Sequence, residues 1–310
     1  MTIRQTDTYR LAAVGITVAV LTGCALSVQQ PNPSIRENDA MAAITARVAQ
    51  TPGAVARVVA YRLDGVGPRI SVLADSLVHA ASTMKVPVMV GLAQRADRGL
   101  LNLDTSIALT NRFASIVDRS PYTLDRADDS DDSVYARVGT AVPIRWLATR
   151  MITHSSNLAT NTLLTVIPAD SVTALTRQLG TTRMLVLRGV EDTPAFRAGL
   201  NNVTTAADLA AVFAAIGTDR AASPAASAWM RNVLLSQAFN SAIPVGLPPG
   251  TRVAHKTGDI TRVEHDAALV YPERGAPYVM VVLTSGIENQ DVARTLIADI
   301  ARIVHAAIPR

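Results

Sequence analysis

Apolar positions recur along this chain in two rhythms, and the rhythm changes at definite places. From about residue 38 to 50 they fall three and four apart, the period of a helix with one buried face. Thr51-Pro52-Gly53 ends that run, because proline and glycine both interrupt a helix. Two strand-like runs follow, Ala54–Leu63 and Arg69–Ala74, joined across Gly65-Val66-Gly67-Pro68, the signature of a hairpin. Helical periodicity and alanine-rich segments such as Thr205–Ile216 dominate the middle, roughly 83–236. Three more strand-like runs come late, Arg252–Thr257, Ala267–Tyr271 and Tyr278–Ser285, and an amphipathic helix over about 289–307 closes the chain. Strands at both ends with helices between predict an α/β fold: one mostly antiparallel sheet drawn from both termini and packed with helices, plus an inserted all-helical lobe. The expected boundaries are about 38–82 and 240–310 for the α/β lobe and about 83–239 for the helical one, with a cleft where they meet.

The first residues read as an address rather than as structure. Arg4 and Arg10 precede an apolar run, Leu11 to Val20, which is too short for a membrane span of ~20 residues and fits the core of a secretory signal. Leu21-Thr22-Gly23-Cys24 then resembles the bacterial lipobox, which implies cleavage before Cys24 and lipidation of its sulfur. On this reading residues 1–23 are a signal peptide, 24–37 a flexible tether rich in Gln, Pro, Asn and Ser, and 38–310 the folded domain. The protein would be exported and lipid-anchored in the bacterial cell envelope, facing the periplasm. Ala25 rather than Asp after the cysteine suggests the outer membrane in a Gram-negative host.

Composition narrows the function classes. At 310 residues and 49% hydrophobic the chain can bury a sizeable core. The formal charge is only +4, and no Lys/Arg cluster with interleaved aromatics occurs, which argues against nucleic-acid binding. Cys24 is the single cysteine, so no disulfide forms within the chain. The five histidines lack metal-ligand spacing, so a zinc hydrolase is unsupported and no metal or other cofactor is expected.

Three short constellations carry chemistry. Ser82-Thr83-Met84-Lys85 stands where the hairpin gives way to a helix, and its Ser and Lys are one turn apart on the same face. A serine hydroxyl attacks only when a neighbour takes its proton, which a desolvated lysine can do. Ser155-Ser156-Asn157 precedes a helical run from Leu158; residues two apart share no helical face, so Ser155 and Asn157 converge only from a turn. Lys256-Thr257-Gly258 lies on a strand, whose alternation aims Lys256 and Gly258 to one side. Glycine there lets the backbone approach a ligand closely. Singly, each triplet is also what an ordinary helix cap or strand end shows.

Together, and in this order, they resemble the motif set of the class A β-lactamases and penicillin-binding proteins, over about residues 38–308. The resemblance implies a serine hydrolase that opens β-lactam rings, a monomer without cofactor. It implies Ser82 as acylated nucleophile, Lys85 as its proton acceptor and Ser155 as proton relay to the leaving nitrogen. Asn157 would hold the substrate's side-chain amide, Lys256 and Thr257 its carboxylate, and the N–H groups of Ser82 and Asp259 the oxyanion. Glu191, 36 positions after Ser155 on an expected Ω-shaped loop, would activate the deacylating water, with Asp192 as its nearest competitor. A D,D-peptidase or esterase on the same scaffold, or an inactive peptidoglycan-binding lipoprotein, are the alternatives.

Several positions depart from that pattern. The loop reads Arg188-x-x-Glu191-x-x-x-Ala195, which leaves Asn201 or Asn202 to replace a missing water ligand. Ser156 stands where an Asp is usual, and Asp259 where Ser or Thr is usual. No Arg matches the strand position that often completes the carboxylate pocket; His265, Arg262 and His255 are the candidates. Asp125, Asp128, Asp129, Asp131 and Asp132 are expected on a solvated loop at the cleft rim, with a cation site as the alternative.

Overall fold

The computed structural model describes residues 1–2 and 33–308. The expected signal sequence after Thr2, Cys24 and the tether up to Asn32 lie outside the described residues, while residues 33–37, expected as tether, already belong to a helix. The chain divides into two units, Met1–Pro31 and Asn32–Arg310, and every element named below belongs to the second.

Helix α1 (Pro33–Ala49) leads into β1 (Val55–Arg62) and β2 (Ile70–Val72). The middle of the chain runs through β3 (Val78–His79), α2 (Lys85–Asp97), β4 (Ser106–Ala108), β5 (Phe113–Ala114), β6 (Pro121–Tyr122), α3 (Asp132–Tyr135) and β7 (Ala141–Pro143). It continues as α4 (Ile144–Thr153), α5 (Asn157–Leu164), α6 (Ala169–Gln178), α7 (Thr193–Arg197), β8 (Val203–Thr204), α8 (Ala206–Gly217) and α9 (Pro224–Leu235). The chain then returns to the sheet with β9 (Arg252–Ile260), β10 (Val263–Tyr271) and β11 (Tyr278–Ser285) and ends in α10 (Gln290–Ala307).

The main sheet has the order β2-β1-β11-β10-β9, antiparallel throughout. Both of its faces are buried, which is why β11 reads as an unbroken apolar run rather than an alternating one. Val58, Ala60, Met280 and Val282 point into one core with Ile44 of α1 and Leu296, Ile297 and Ile300 of α10. Val59, Val279, Val281 and Leu283 point into the other, with Phe213 of α8 and the buried length of α2. That second core continues into Leu147, Met151, Leu158 and Leu163 of α4 and α5, so the helices that flank the second motif share one core with the strand that carries the third.

Two expectations are corrected. Strands β9 and β10 run on to Ile260 and start at Val263, a long hairpin where the apolar pattern stops at Thr257 and resumes at Ala267. Glu264, His265 and Asp266 break the pattern because they are polar, yet all three are buried. The middle is also less helical than its periodicity suggests: between α2 and α4 it holds four short strands, paired as β4–β7 and β5–β6.

Candidate active site

Ser82 lies on a single 3-10 turn, Ala81–Met84, from which α2 continues at Lys85. Ala81 just before it has φ 45°, the left-handed region, which costs a non-glycine residue ~1–3 kcal/mol and must be held by its neighbours. Three contacts hold it. The Ala81 N–H donates to His79 Nδ1 (3.0 Å), the Ala80 N–H to the Asn202 carbonyl (2.8 Å), and the Thr83 hydroxyl to the Ala80 carbonyl.

The second motif converges as a turn. Ser155, at φ 56°, breaks the chain between α4 and α5. Lys85 is fully buried, and its Nζ reaches the Ser155 carbonyl (2.6 Å), the Ser155 hydroxyl (3.2 Å) and Asn157 Oδ1 (2.9 Å). Burial pushes the Lys85 amine down to about 7, against the charges of Asp129, Asp259 and Glu191, which raise it. Lys256 also reaches Ser155: its Nζ donates to the Ser155 hydroxyl (3.0 Å) and to the Thr257 carbonyl (2.8 Å). Burial, and then the neighbouring Lys85, hold the Lys256 amine well below the ordinary lysine range. Two lysines thus converge on the Ser155 oxygen, and Ser155 lines the cleft.

Gly258 faces the nucleophile turn across β9. A Cβ built there would lie 2.8 Å from the Ser82 nitrogen and 2.9 Å from that of Thr83, so the strand comes this close only because the residue is glycine. Thr257 is nearly buried, while the exposed Asp259 accepts from Gln290 Nε2 (3.3 Å) at the start of α10.

Glu191 has φ 62°, and its carboxylate is held at both oxygens: Oε1 accepts from Asn157 Nδ2 (3.2 Å) and Oε2 from the Asp125 N–H (3.2 Å). Burial raises this carboxyl, and the two hydrogen bonds work in the opposite direction. Asp192 is fully buried and accepts from the Ser115 hydroxyl and the N–H groups of Ile116 and Ala195. It anchors the loop and caps α7. Arg188 leaves Glu191 unpaired, since its guanidinium goes to the Leu200 and Gly189 carbonyls and to Asn201 Oδ1.

Other expectations for this region are revised, the solvated acidic loop only in part, since Asp125, Asp128 and Asp132 are exposed and Asp128 lines the cleft. Asn202 holds the loop's own backbone through Leu187 N, Arg188 N and Arg188 O, and Asn201 takes Arg188, so both amides staple the loop. The acidic stretch is not simply solvated. Asp131 is buried against Arg150, and Asp129 Oδ2 accepts from the Ser156 hydroxyl (3.2 Å) and the Leu158 N–H (2.9 Å). Asp129 therefore supplies, from another loop, the carboxylate that Ser156 lacks. None of the expected basic residues turns to the cleft. His255 is buried between Asp266 and Asn240, His265 is buried between the carbonyls of Glu264 and His79, and Arg262 pairs with Glu288. Sequence reasoning also missed His79, which lines the cleft and holds the nucleophile turn.

Ser82, Ser155, Asn157, Glu191 and Asp259 line one cleft of about 520 Å³, with Arg188 and His79 as its basic members. Residues 39–308 match the model of the β-lactamase enzyme family. The chain belongs to that family. It is 27% identical to a β-lactamase of Rhodobacter capsulatus over 299 residues, 93% of this chain and 96% of that one. The fold is shared with a β-lactamase from Sphaerobacter thermophilus (TM-score 0.73, 25% identity, 88% of this chain and 99% of that one). It is also shared with a mutant of PBP-A solved as an acyl-enzyme complex with penicillin G (TM-score 0.75, 24% identity, 87% and 96%). This family member is thus a β-lactamase-like serine hydrolase by descent and by fold.

Proposed function

We propose that the protein is a serine β-lactamase that works through an acyl-enzyme on Ser82. The observation that carries this reading is the pair of buried lysines on the Ser155 hydroxyl, beside a cleft that also holds Ser82 and Glu191. In the first step the neutral Lys85 amine takes the Ser82 proton as Ser82 Oγ bonds to the lactam carbonyl carbon. The developing oxyanion meets the N–H groups of Ser82 and Asp259, where one donor is worth ~3–4 kcal/mol. The lactam C–N bond breaks as Ser155 gives its proton to the nitrogen, and Lys85 or Lys256 restores that proton to Ser155. In the second step water attacks the ester carbon, Glu191 takes one water proton, and the C–O bond to Ser82 breaks as Ser82 regains a proton.

The alternative, a D,D-peptidase on the same scaffold, differs only in the second step. Glu191 favours the lactamase, because its carboxylate is held against Asn157, lines the cleft and is not paired with Arg188. Labelling with a fluorescent penicillin decides between them. A short-lived label with continuing turnover is the lactamase result; a label that persists on the wild type is the peptidase result and rejects this reading.

We also propose that the mature chain is a monomer carried on a lipid at Cys24, facing the periplasm. Leu21-Thr22-Gly23-Cys24 supports the anchor, and among the described residues no helix is long and apolar enough to cross a membrane. Cys24→Ser should release the protein from the membrane fraction; a wild type found entirely in the soluble fraction rejects the anchor.

A further inference from the structure

We infer that His79 is a positioning residue for the nucleophile: its imidazole closes the turn that presents Ser82. This rests on the acyl-transfer reading of Ser82 and goes beyond it, since neither the three motifs nor the catalytic loop includes His79.

The geometry is a side-chain-closed turn. His79 Nδ1 accepts from the N–H two residues on, at Ala81, over 3.0 Å. That spacing is the one an Asn or Asp side chain uses to close a local turn on its own backbone. Ala81 needs such help, because it carries a side chain at φ 45° and directly precedes Ser82. The bond orients the peptide that enters the nucleophile. It also requires a lone pair on Nδ1 and therefore the neutral ring with its proton on Nε2. Burial, and then the charge of Arg188, lower the His79 pKa and favour that neutral form.

His79 is itself fixed from two sides. Its backbone pairs with Val203 of β8, which ties it to the end of the Ω-shaped loop, and its carbonyl lies 2.9 Å from His265 Nε2 of β10. The next residue, Ala80, is bound to the Asn202 carbonyl, and Asn202 staples that loop through Leu187 and Arg188. His79 thus joins the catalytic loop, the central sheet and the nucleophile turn.

Asn and Gln substitutions separate this role from simple space filling. Asn places its Oδ1 where Nδ1 stands and closes the same turn; Gln is closer to histidine in volume but puts its amide one bond too far along. The test measures two rates on the full chain: labelling of Ser82 by a fluorescent penicillin, and binding of a phenylboronic acid, which forms a B–O bond to a reactive serine without needing a leaving group. His79→Ala should slow both about tenfold, the equivalent of one hydrogen bond. His79→Asn should recover most of that loss, and His79→Gln should not. Thermal midpoints measured alongside exclude a folding defect as the cause. Gln equal to or better than Asn, or Ala equal to wild type, would overturn the assignment. A wild type that binds the boronic acid but takes no penicillin label rejects the β-lactam reading instead, and the order of the three variants is then read from boronic acid binding alone. A wild type that reacts with neither overturns both.

Discussion

The side chains of Lys256 and Ser155 meet at 3.0 Å, and Lys85 reaches the same hydroxyl oxygen at 3.2 Å. Two amines on one oxygen can resupply the proton that Ser155 gives. Ser155→Ala should therefore slow acylation by a β-lactam ~10²–10⁴-fold, the usual worth of general acid–base help. A p-nitrophenyl ester, whose leaving oxygen needs no proton, should lose much less in the same variant. Equal losses for the two substrates would remove Ser155 from the proton path.

Acylation should titrate with Lys85. Burial brings its pKa down to about 7, so the neutral amine that accepts a proton accumulates as pH rises through that value. The acylation rate measured by stopped-flow labelling should rise through about pH 7 and level off above it. Lys85→Arg should lose ~10²–10⁴-fold and retain no such limb, because a guanidinium stays charged. A limb unchanged in the Arg variant would assign the titration to another group.

Gly258→Ala should cripple the site without unfolding the protein. The added carbon would come within 2.8 Å of the Ser82 nitrogen and force β9 away from the turn. With one oxyanion donor displaced, acylation should fall ~10²–10³-fold while the circular-dichroism spectrum stays that of the wild type. A fully active variant would show that the strand can shift without harm.

How much of this was legible in the sequence depends on whether a contact is local. The strands of the sheet and the first and last helices follow from apolar rhythm, because each buries a face that the pattern records. The three motifs were legible as clusters of reactive residue types within three or four positions. The hairpin between β9 and β10 was not, because buried Glu264, His265 and Asp266 look like loop residues to a hydrophobic pattern. Asp129 was equally hidden. It replaces the carboxylate missing at Ser156 from 27 positions away, through a loop with no period. The search for a basic residue on β9 and β10 failed for a related reason: His255 and His265 serve the interior, a fact that residue type does not reveal.

One of those buried groups gives the fold its own pH signature. Glu264 is raised from 4.5 to about 7, chiefly by burial and despite Arg294 nearby. The native protein therefore holds a proton that the unfolded chain releases between those values. Its contribution is present below about 4.5 and is lost as pH rises through about 7. Glu264→Gln removes this titration, so the difference in melting temperature, variant minus wild type, should grow as pH rises from 5 to 8. A difference constant with pH would show that Glu264 is ionised in the native state throughout.

The central claim is that a covalent intermediate forms on Ser82 and that Glu191 clears it. Intact-mass spectrometry of the wild type and Glu191→Ala after mixing with excess penicillin G tests both halves at once. General-base help is worth ~10²–10⁴-fold, so the variant should release one product per enzyme and then stall. Its mass should stay raised by one penicillin on the peptide that contains Ser82, while the wild type passes through the same adduct and returns to its unmodified mass. Equal clearance by the two proteins, or a wild type that itself remains acylated, would contradict the account.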